Sequence, residues 1–284
     1  MIEKKVSLKK YCSYGTGGKA ELFSAPKDLF DLKVALKIAA DNSLPVTLLG
    51  TGCNVLISDK GVNGLVICTR DLMTECEFAE SEVYAGAGLM LDELISQSID
   101  RGLAGIENMS GIPGTVGGAV VMNAGAFGTE IKDAAVSVDV CGYDGVVQSI
   151  NAADAGFGYR RADNLHGIVL GARFRLEKGD RAELEARRAE ILTRRSDKQP
   201  LDCLSCGSVF KRPEGNFAGA LIERCGLKGF TIGGAQVSEK HANFIINTGR
   251  ATSADIYALI KHVQETVFKE TGVALEREVR FIGF

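Results

Sequence analysis

Apolar residues recur at Leu29, Leu32, Leu36 and Ala39 or Ala40, the spacing of one helix face, and predict a helix over 26–42. Pro45 then introduces a short apolar run at 46–49 of the length of a buried strand, and runs at 55–58, 64–67 and 83–86 predict further strands. Residues 91–101 carry an amphipathic helical pattern that stops at Gly102. The runs 136–141 and 146–150 flank Asp144-Gly145, a dipeptide suited to a two-residue hairpin turn, and 168–176 predicts another strand. The stretch 181–195 is so densely charged that it reads as a solvated surface helix. After a break at Lys198-Gln199-Pro200 the pattern predicts a strand or turn at 208–210, a helix at 217–224 stopped by Gly226, and a strand at 243–247. A helix at 253–269, capped by Thr252 or Ser253, and a last strand at 278–282 complete it. The order describes an α+β chain with a domain boundary near the break.

Composition narrows the function classes. The 284 residues exceed one minimal core. A formal charge of −3 supplies no broad basic face, so nucleic acid is not an expected partner. No apolar run is long enough to span a bilayer, so neither is a membrane. Met1-Ile2-Glu3-Lys4-Lys5 alternates charge without an apolar signal core, and no export is expected. The eight cysteines are scattered, and Cys203-x-x-Cys206 lacks a second pair. With only His166, His241 and His262 besides, no metal site is expected and the cysteines read as reduced, semi-buried residues.

The 34 glycines concentrate in loops. Gly50-Thr51-Gly52-Cys53-Asn54 follows a predicted strand, but Val55 holds the third glycine position and strand follows, which defeats a Rossmann reading. Ser110-Gly111-Ile112-Pro113-Gly114-Thr115-Val116-Gly117-Gly118-Ala119 ends in small residues able to start a helix whose free N–H groups would face a pyrophosphate. The same glycines also suit tight turns between packed strands, and from the residues alone both readings stand. Two such loops in one region favour a bound dinucleotide. Neither carries a Walker lysine, which argues against an NTPase.

Taken together, Gly50-Thr51-Gly52-Cys53-Asn54-Val55-Leu56, the Ser110 to Ala119 loop and Asn123-Ala124-Gly125-Ala126 closely resemble the UDP-N-acetylenolpyruvoylglucosamine reductase (UDP-N-acetylmuramate dehydrogenase) family. Phe157-Gly158-Tyr159-Arg160, Gly207-Ser208-Val209-Phe210-Lys211 and Glu278-Val279-Arg280-Phe281-Ile282-Gly283 extend the likeness over nearly the whole chain, in order. The short stretch from Arg160 to Ser208 is similar to the subtype that lacks an inserted tyrosine-bearing loop. Asp202-Cys203-Leu204-Ser205-Cys206 departs from the pattern, with Cys203 where a bulky residue is expected. The resemblance implies a vanillyl-alcohol-oxidase-type FAD-binding domain over 1–196, with two subdomains split near 70–80, and a C-terminal α+β substrate domain over 197–284. It also implies noncovalent FAD, NADPH as co-substrate, UDP-N-acetylglucosamine enolpyruvate as substrate, and a cytoplasmic monomer acting in peptidoglycan precursor synthesis.

By the same resemblance Gly50, Thr51, Gly52, Cys53, Asn54, Val55, Ser110, Gly111, Ile112, Gly114, Thr115, Gly117, Gly118, Ala119, Asn123, Gly125 and Ala126 hold FAD. Reduction of the alkene needs a hydride on one carbon and a proton on the other, and it builds charge on the adjoining carboxylate. The motif match gives Arg160 and Glu278 to that charge, Glu278 only as a protonated or partner-bonded group since a bare carboxylate would repel it, and makes Ser208 the proton donor. Read without the family, Arg160 is a surface arginine beside Arg161 and Ser208 a turn residue. Lys198, Arg212 and Arg280 are cations for the diphosphate or carboxylate, and His241 matches a substrate-side position loosely, a structural histidine being the other reading. Two rivals are an FAD oxidase of the same superfamily, with Cys53 a tether, and a UDP-sugar sensor without flavin.

Overall fold

A computed structural model describes residues 2–284. The chain forms two compact units, each assembled from separated segments. Residues 2–3, Leu22–Thr51 and Gly64–Arg194 make the first; Lys4–Glu21, Gly52–Asn63 and Arg195–Phe284 make the second. The glycine-rich stretch from Gly50 to Val55 is therefore divided between them.

In the first unit, helix Leu29–Asp41 starts at Asp28, whose carboxylate accepts the Asp31 N–H at 2.8 Å. Leu32, Leu36 and Ala39, one face of that helix, pack with Leu65, Ile67 and Leu72. Strand Val46–Leu49 runs parallel to the neighbouring strand in the register Val46↔Leu65 to Leu49↔Cys68. A second core lies on a five-stranded antiparallel sheet in the order Val147–Asn151, Ala135–Cys141, Ile168–Arg175, Glu82–Gly86, Cys76–Ala79. The hairpin at Asp144-Gly145 forms, with Gly145 at φ 82. Helices Leu91–Asp100 and Val116–Val121 contribute Leu91, Leu94, Ile95, Val116 and Val120 to this core. The charged helix Arg181–Lys198 is not merely a solvated one, because Leu184 and Ile191 are buried.

The second unit holds an antiparallel sheet ordered Leu204–Ser208, Phe244–Asn247, Ala235–Val237, Thr231–Ile232, which helix Ser253–Thr271 contacts. That helix begins at Thr252 in a capping box with Asp255 and ends at left-handed Gly272. Strand Val55–Ile57 pairs in parallel with Arg280–Ile282, so the last strand starts two residues later than its sequence pattern indicates. Strands Ile2–Ser7, Lys19–Ser24 and Cys76–Ala79 are additions to the predicted elements. Ile2–Ser7 and Cys76–Ala79 bury no residue and Lys19–Ser24 buries only Ala20, Phe23 and Ser24, so apolar periodicity gives little sign of them.

Candidate active site

The two glycine loops separate into glycines that pack and glycines that leave space. A Cβ on Gly117 would lie 2.9 Å from the Ala87 Cβ, and the Gly117 N–H donates to the Ala87 carbonyl at 2.9 Å. Gly117 is thus a packing residue. Gly50 and Gly118 differ, because a Cβ on either meets only the Thr115 hydroxyl, at 3.6 and 3.7 Å. Their backbone faces and the Thr115 hydroxyl form an open cradle in the first unit, the kind of surface a dinucleotide phosphate requires. Gly111 and Gly114 adopt φ 74 and φ 127, which shape the loop before it.

The expected helix does follow this loop, but its N–H groups are not free for an anion. Val116 donates to the Leu89 carbonyl at 2.8 Å, Gly117 to Ala87, and Gly118 to the Thr115 hydroxyl at 3.4 Å. Tertiary and capping bonds have consumed the donors that a bare helix start would offer. An anion at this loop would be met by the open glycine faces and not by the helix terminus. Ala119 is buried in the core, and Ile112 packs against it.

Residues absent from the sequence reading hold the loop in place. Asp92 accepts the Gly111 N–H at 2.8 Å and takes both arms of Arg188, at 2.8 and 2.6 Å; Arg188 also donates to the Ser110 hydroxyl at 3.2 Å. This bidentate pair fixes Ser110 and Gly111 from behind. The carboxylate raises the Arg188 pKa chiefly through the side-chain hydrogen bond. No local signal distinguishes Arg188 among the arginines of its helix, and Asp92 reads as an ordinary first-turn acid.

Arg160 lies in the same unit, in left-handed backbone at φ 58, and its Nη2 donates to the Gly125 carbonyl at 3.1 Å. Its guanidinium stands over the Tyr159 ring, 5.2 Å from the centroid. Gly125 and Ala126 pair with Glu130 and Thr129 in a small ribbon. Asn123 is fully buried.

In the second unit Ser208 is aimed by a bulge. Ser205 pairs with Ile246 and Ser208 with Phe244, so one extra residue is absorbed around Gly207, which adopts φ 73. Without that residue the serine side chain would point to the other face of the sheet. Val209 follows: its N–H donates to the Asn243 carbonyl and its own carbonyl accepts the Glu278 N–H, both at 2.8 Å. The buried Asn243 side chain pairs with both backbone groups of Phe210, at 3.1 and 2.9 Å. Ser208 and Glu278, both half-buried, are thereby brought together along one backbone ladder.

The first strand after Gly52 joins this ladder. Gly52 has φ 72, and a Cβ there would overlap the Tyr11 carbonyl. Asn54 donates from its side chain to the Glu278 carbonyl at 3.4 Å and accepts the Arg280 N–H at 3.0 Å, while Val55 pairs with Arg280. The Val55 carbonyl also receives the thiols of Cys12 and Cys206, at 3.3 and 3.2 Å. The hydrogen bond from Cys206 lowers the Cys12 pKa to about 7, whereas burial pushes Cys206 and Tyr14 up.

The remaining cations do not converge to the same degree. Lys198 and Arg280 are exposed, and Arg212 stacks over Phe217 at 4.0 Å. His241 accepts the Asn243 N–H on Nδ1 at 3.2 Å and packs edge-on against Phe244, so it shapes its own loop; burial lowers its pKa. Cys53 and Thr51 are half-buried in the first glycine loop.

Comparison with known proteins bears on both units. Residues 20–151 match the FAD binding domain family, and 199–282 match the C-terminal domain of UDP-N-acetylenolpyruvoylglucosamine reductase. The chain is 43% identical over 278 residues to the UDP-N-acetylenolpyruvoylglucosamine reductase of Pediococcus pentosaceus, covering 97% of this chain and 92% of that one. A reductase of the same name from Lactobacillus delbrueckii subsp. bulgaricus is also 43% identical, with 99% and 95% covered. The crystal structure of UDP-N-acetylenolpyruvylglucosamine reductase from Thermus caldophilus superimposes with a TM-score of 0.86 at 35% identity, covering 99% of each chain.

Proposed function

Because the chain belongs to the UDP-N-acetylenolpyruvoylglucosamine reductase family, we propose that it reduces UDP-N-acetylglucosamine enolpyruvate to UDP-N-acetylmuramate with NADPH. It is an FAD-dependent oxidoreductase of peptidoglycan precursor synthesis, with an FAD-binding domain followed by the family's C-terminal domain. The observation that carries this reading is an open Gly50–Thr115–Gly118 cradle inside the segment that matches an FAD-binding domain.

FAD, when bound, supplies two-electron hydride transfer between NADPH and the enolpyruvyl alkene. The residues fit such a group, since Gly50 and Gly118 leave the backbone approachable and Asp92 and Arg188 fix the adjoining Ser110–Gly111 turn. We assign the substrate carboxylate to Arg160, whose guanidinium can pair with it in two places. Ser208 is assigned as the proton donor to the carbon that does not receive hydride, and Glu278, in its protonated form or through a hydrogen-bonded partner, as the group that supports the charge developing on the carboxylate, because a bare carboxylate would repel it. Lys198, Arg212 and Arg280 supply positive charge for the diphosphate, and His241 takes a supporting part by shaping the loop ahead of Asn243. The flavin-binding portion is assigned to 1–196 and the substrate portion to 197–284. No described helix is long and apolar enough to cross a membrane. We place the enzyme in the cytoplasm and take it to act as a monomer.

The purified protein is expected to show flavin absorption bands, to release free flavin on denaturation, and to oxidise NADPH beyond one equivalent of its own flavin, under anaerobic conditions, only when the UDP-sugar enolpyruvate is present. A colourless protein that binds the UDP-sugar would instead be a sensor, and flavin retained covalently after denaturation would restore the oxidase alternative.

A further inference from the structure

Asn123 and Arg160 are both non-glycine residues in left-handed backbone, at φ 40 and φ 58. Asparagine tolerates that region better than most residues, arginine does not, and such strain persists only where surrounding bonds enforce it. The bonds here form a reciprocal clasp. Asn123 Nδ2 donates to the Gly158 carbonyl at 3.1 Å, two residues before Arg160. Arg160 Nη2 donates to the Gly125 carbonyl at 3.1 Å, two residues after Asn123. Each side chain secures the backbone turn that carries the other.

The Asn123 carboxamide has no donor left for a ligand. Its second N–H goes to Glu130 Oε2 at 3.0 Å, and its Oδ1 accepts the Lys132 N–H at 2.9 Å. A carboxamide offers two N–H groups, so both are used within the protein, in a residue with no exposed surface. Glu130 is itself held, by Lys132 Nζ at 2.8 Å and through its own N–H to Asp133 at 2.8 Å. The side chain of Asn123 therefore works on the protein and not on the flavin.

We propose that Asn123 is the positioning residue of Arg160, holding the Phe157–Arg160 turn so that the guanidinium meets the substrate carboxylate. This rests on the assignment of Arg160 to that carboxylate. Asn123→Gly keeps the left-handed backbone free of strain and deletes the carboxamide. Asn123→Asp alone would set a buried carboxylate against Glu130, so it is combined with Glu130→Gln; that pair keeps the shape and acceptor, deletes the bond to the Gly158 carbonyl, and carries the comparison if the glycine variant does not fold.

Apo-protein titrated with FAD, stopped-flow measurement of each half-reaction, and substrate KM are to be compared among these variants, Arg160→Ala and the double variant Asn123→Gly/Arg160→Ala. Expected are wild-type FAD affinity, unchanged flavin reduction by NADPH, a raised KM and an oxidative half-reaction slowed by about 100-fold, the usual scale for a misplaced positioning group. The double variant is expected to be no slower than Arg160→Ala alone, because Asn123 acts through Arg160. Lost FAD affinity in Asn123→Gly, or slowing that multiplies in the double variant, overturns the positioning role. Unchanged reoxidation in Arg160→Ala would instead remove the carboxylate assignment beneath it.

Discussion

The carbonyl of Val209 accepts the N–H of Glu278 at 2.8 Å, so the residue after Ser208 is tied directly to the other candidate catalytic residue of the second unit. Buried Asn243 holds the opposite side of that segment through Val209 and Phe210. Serine and glutamate are therefore fixed by one backbone ladder, with the bulge at Gly207 setting which way the serine faces.

Ser208→Ala is expected to separate the half-reactions. Flavin reduction by NADPH needs no proton delivered to the sugar, so it stays near wild type. Reoxidation by substrate loses a general acid, a contribution of about 100- to 10,000-fold. Stopped-flow absorbance follows both steps in one preparation. Equal slowing of the two would make Ser208 a shaping residue, and no slowing would place the proton elsewhere.

Gly118→Asp and Gly117→Ala are expected to fail differently. The first puts a carboxylate into the open cradle beside Thr115 and weakens FAD binding with little loss of apo-protein stability. The second forces a methyl group to within 2.9 Å of the Ala87 Cβ and destabilises the fold by about 1–3 kcal/mol, the scale of overpacking. FAD titration and thermal melts of the apo-protein tell them apart. Ordinary FAD affinity in Gly118→Asp would remove the cradle from the cofactor site.

Arg188→Ala leaves Asp92 without its bidentate partner and removes one donor to the Ser110 hydroxyl, which still donates to the Glu107 carbonyl at 2.6 Å. The pair is partly exposed, so the stability loss is expected to be modest, about 1 kcal/mol. The larger effect is expected on FAD, whose dissociation constant should rise at least tenfold because the Asp92 carboxylate that holds the Gly111 N–H is no longer fixed by Arg188. Calorimetry with FAD measures it, and unchanged affinity would confine Arg188 to a structural part.

Stability is expected to rise from pH 7 to 9 and to fall above 9. Cys12 titrates at about 7 when folded and at its ordinary 9.0 when unfolded, so the unfolded chain holds more protons between those values and stability increases with pH. Cys206 and Tyr14 are shifted upward by burial, so above their ordinary values of 9.0 and 10.0 the folded chain keeps protons the unfolded one loses. Denaturant midpoints across this range read the curve, and Cys206→Ala should flatten both limbs. A flat wild-type profile would contradict the coupled thiol pair.

A kinetic expectation follows from a family reaction in which one flavin serves two substrates. Initial rates with NADPH and the UDP-sugar varied together should give the parallel lines of a ping-pong scheme. Intersecting lines, or a stable productive ternary complex, would contradict alternating occupancy.

Local sequence determined most elements, because their signals are local. The face of Leu32, Leu36 and Ala39, the Asp144-Gly145 turn and the Thr252 cap each depend on spacing within a few residues. The ordered motifs from Gly50 to Gly283 identified the family for the same reason, being contiguous in the chain. Tertiary structure alone decided what the motif residues do. Gly117 and Gly118 are neighbours of one residue type, yet one packs on Ala87 and the other faces open space. Helix start Val116–Gly118 looked free for a phosphate until Leu89 and Ala87 took its donors. Asp92 and Arg188 stand 96 residues apart, and Asn123 and Gly158 stand 35 apart, so no periodicity links them. Burial and hydrogen-bond saturation are properties of the folded surroundings, and those surroundings are made by segments distant in the chain.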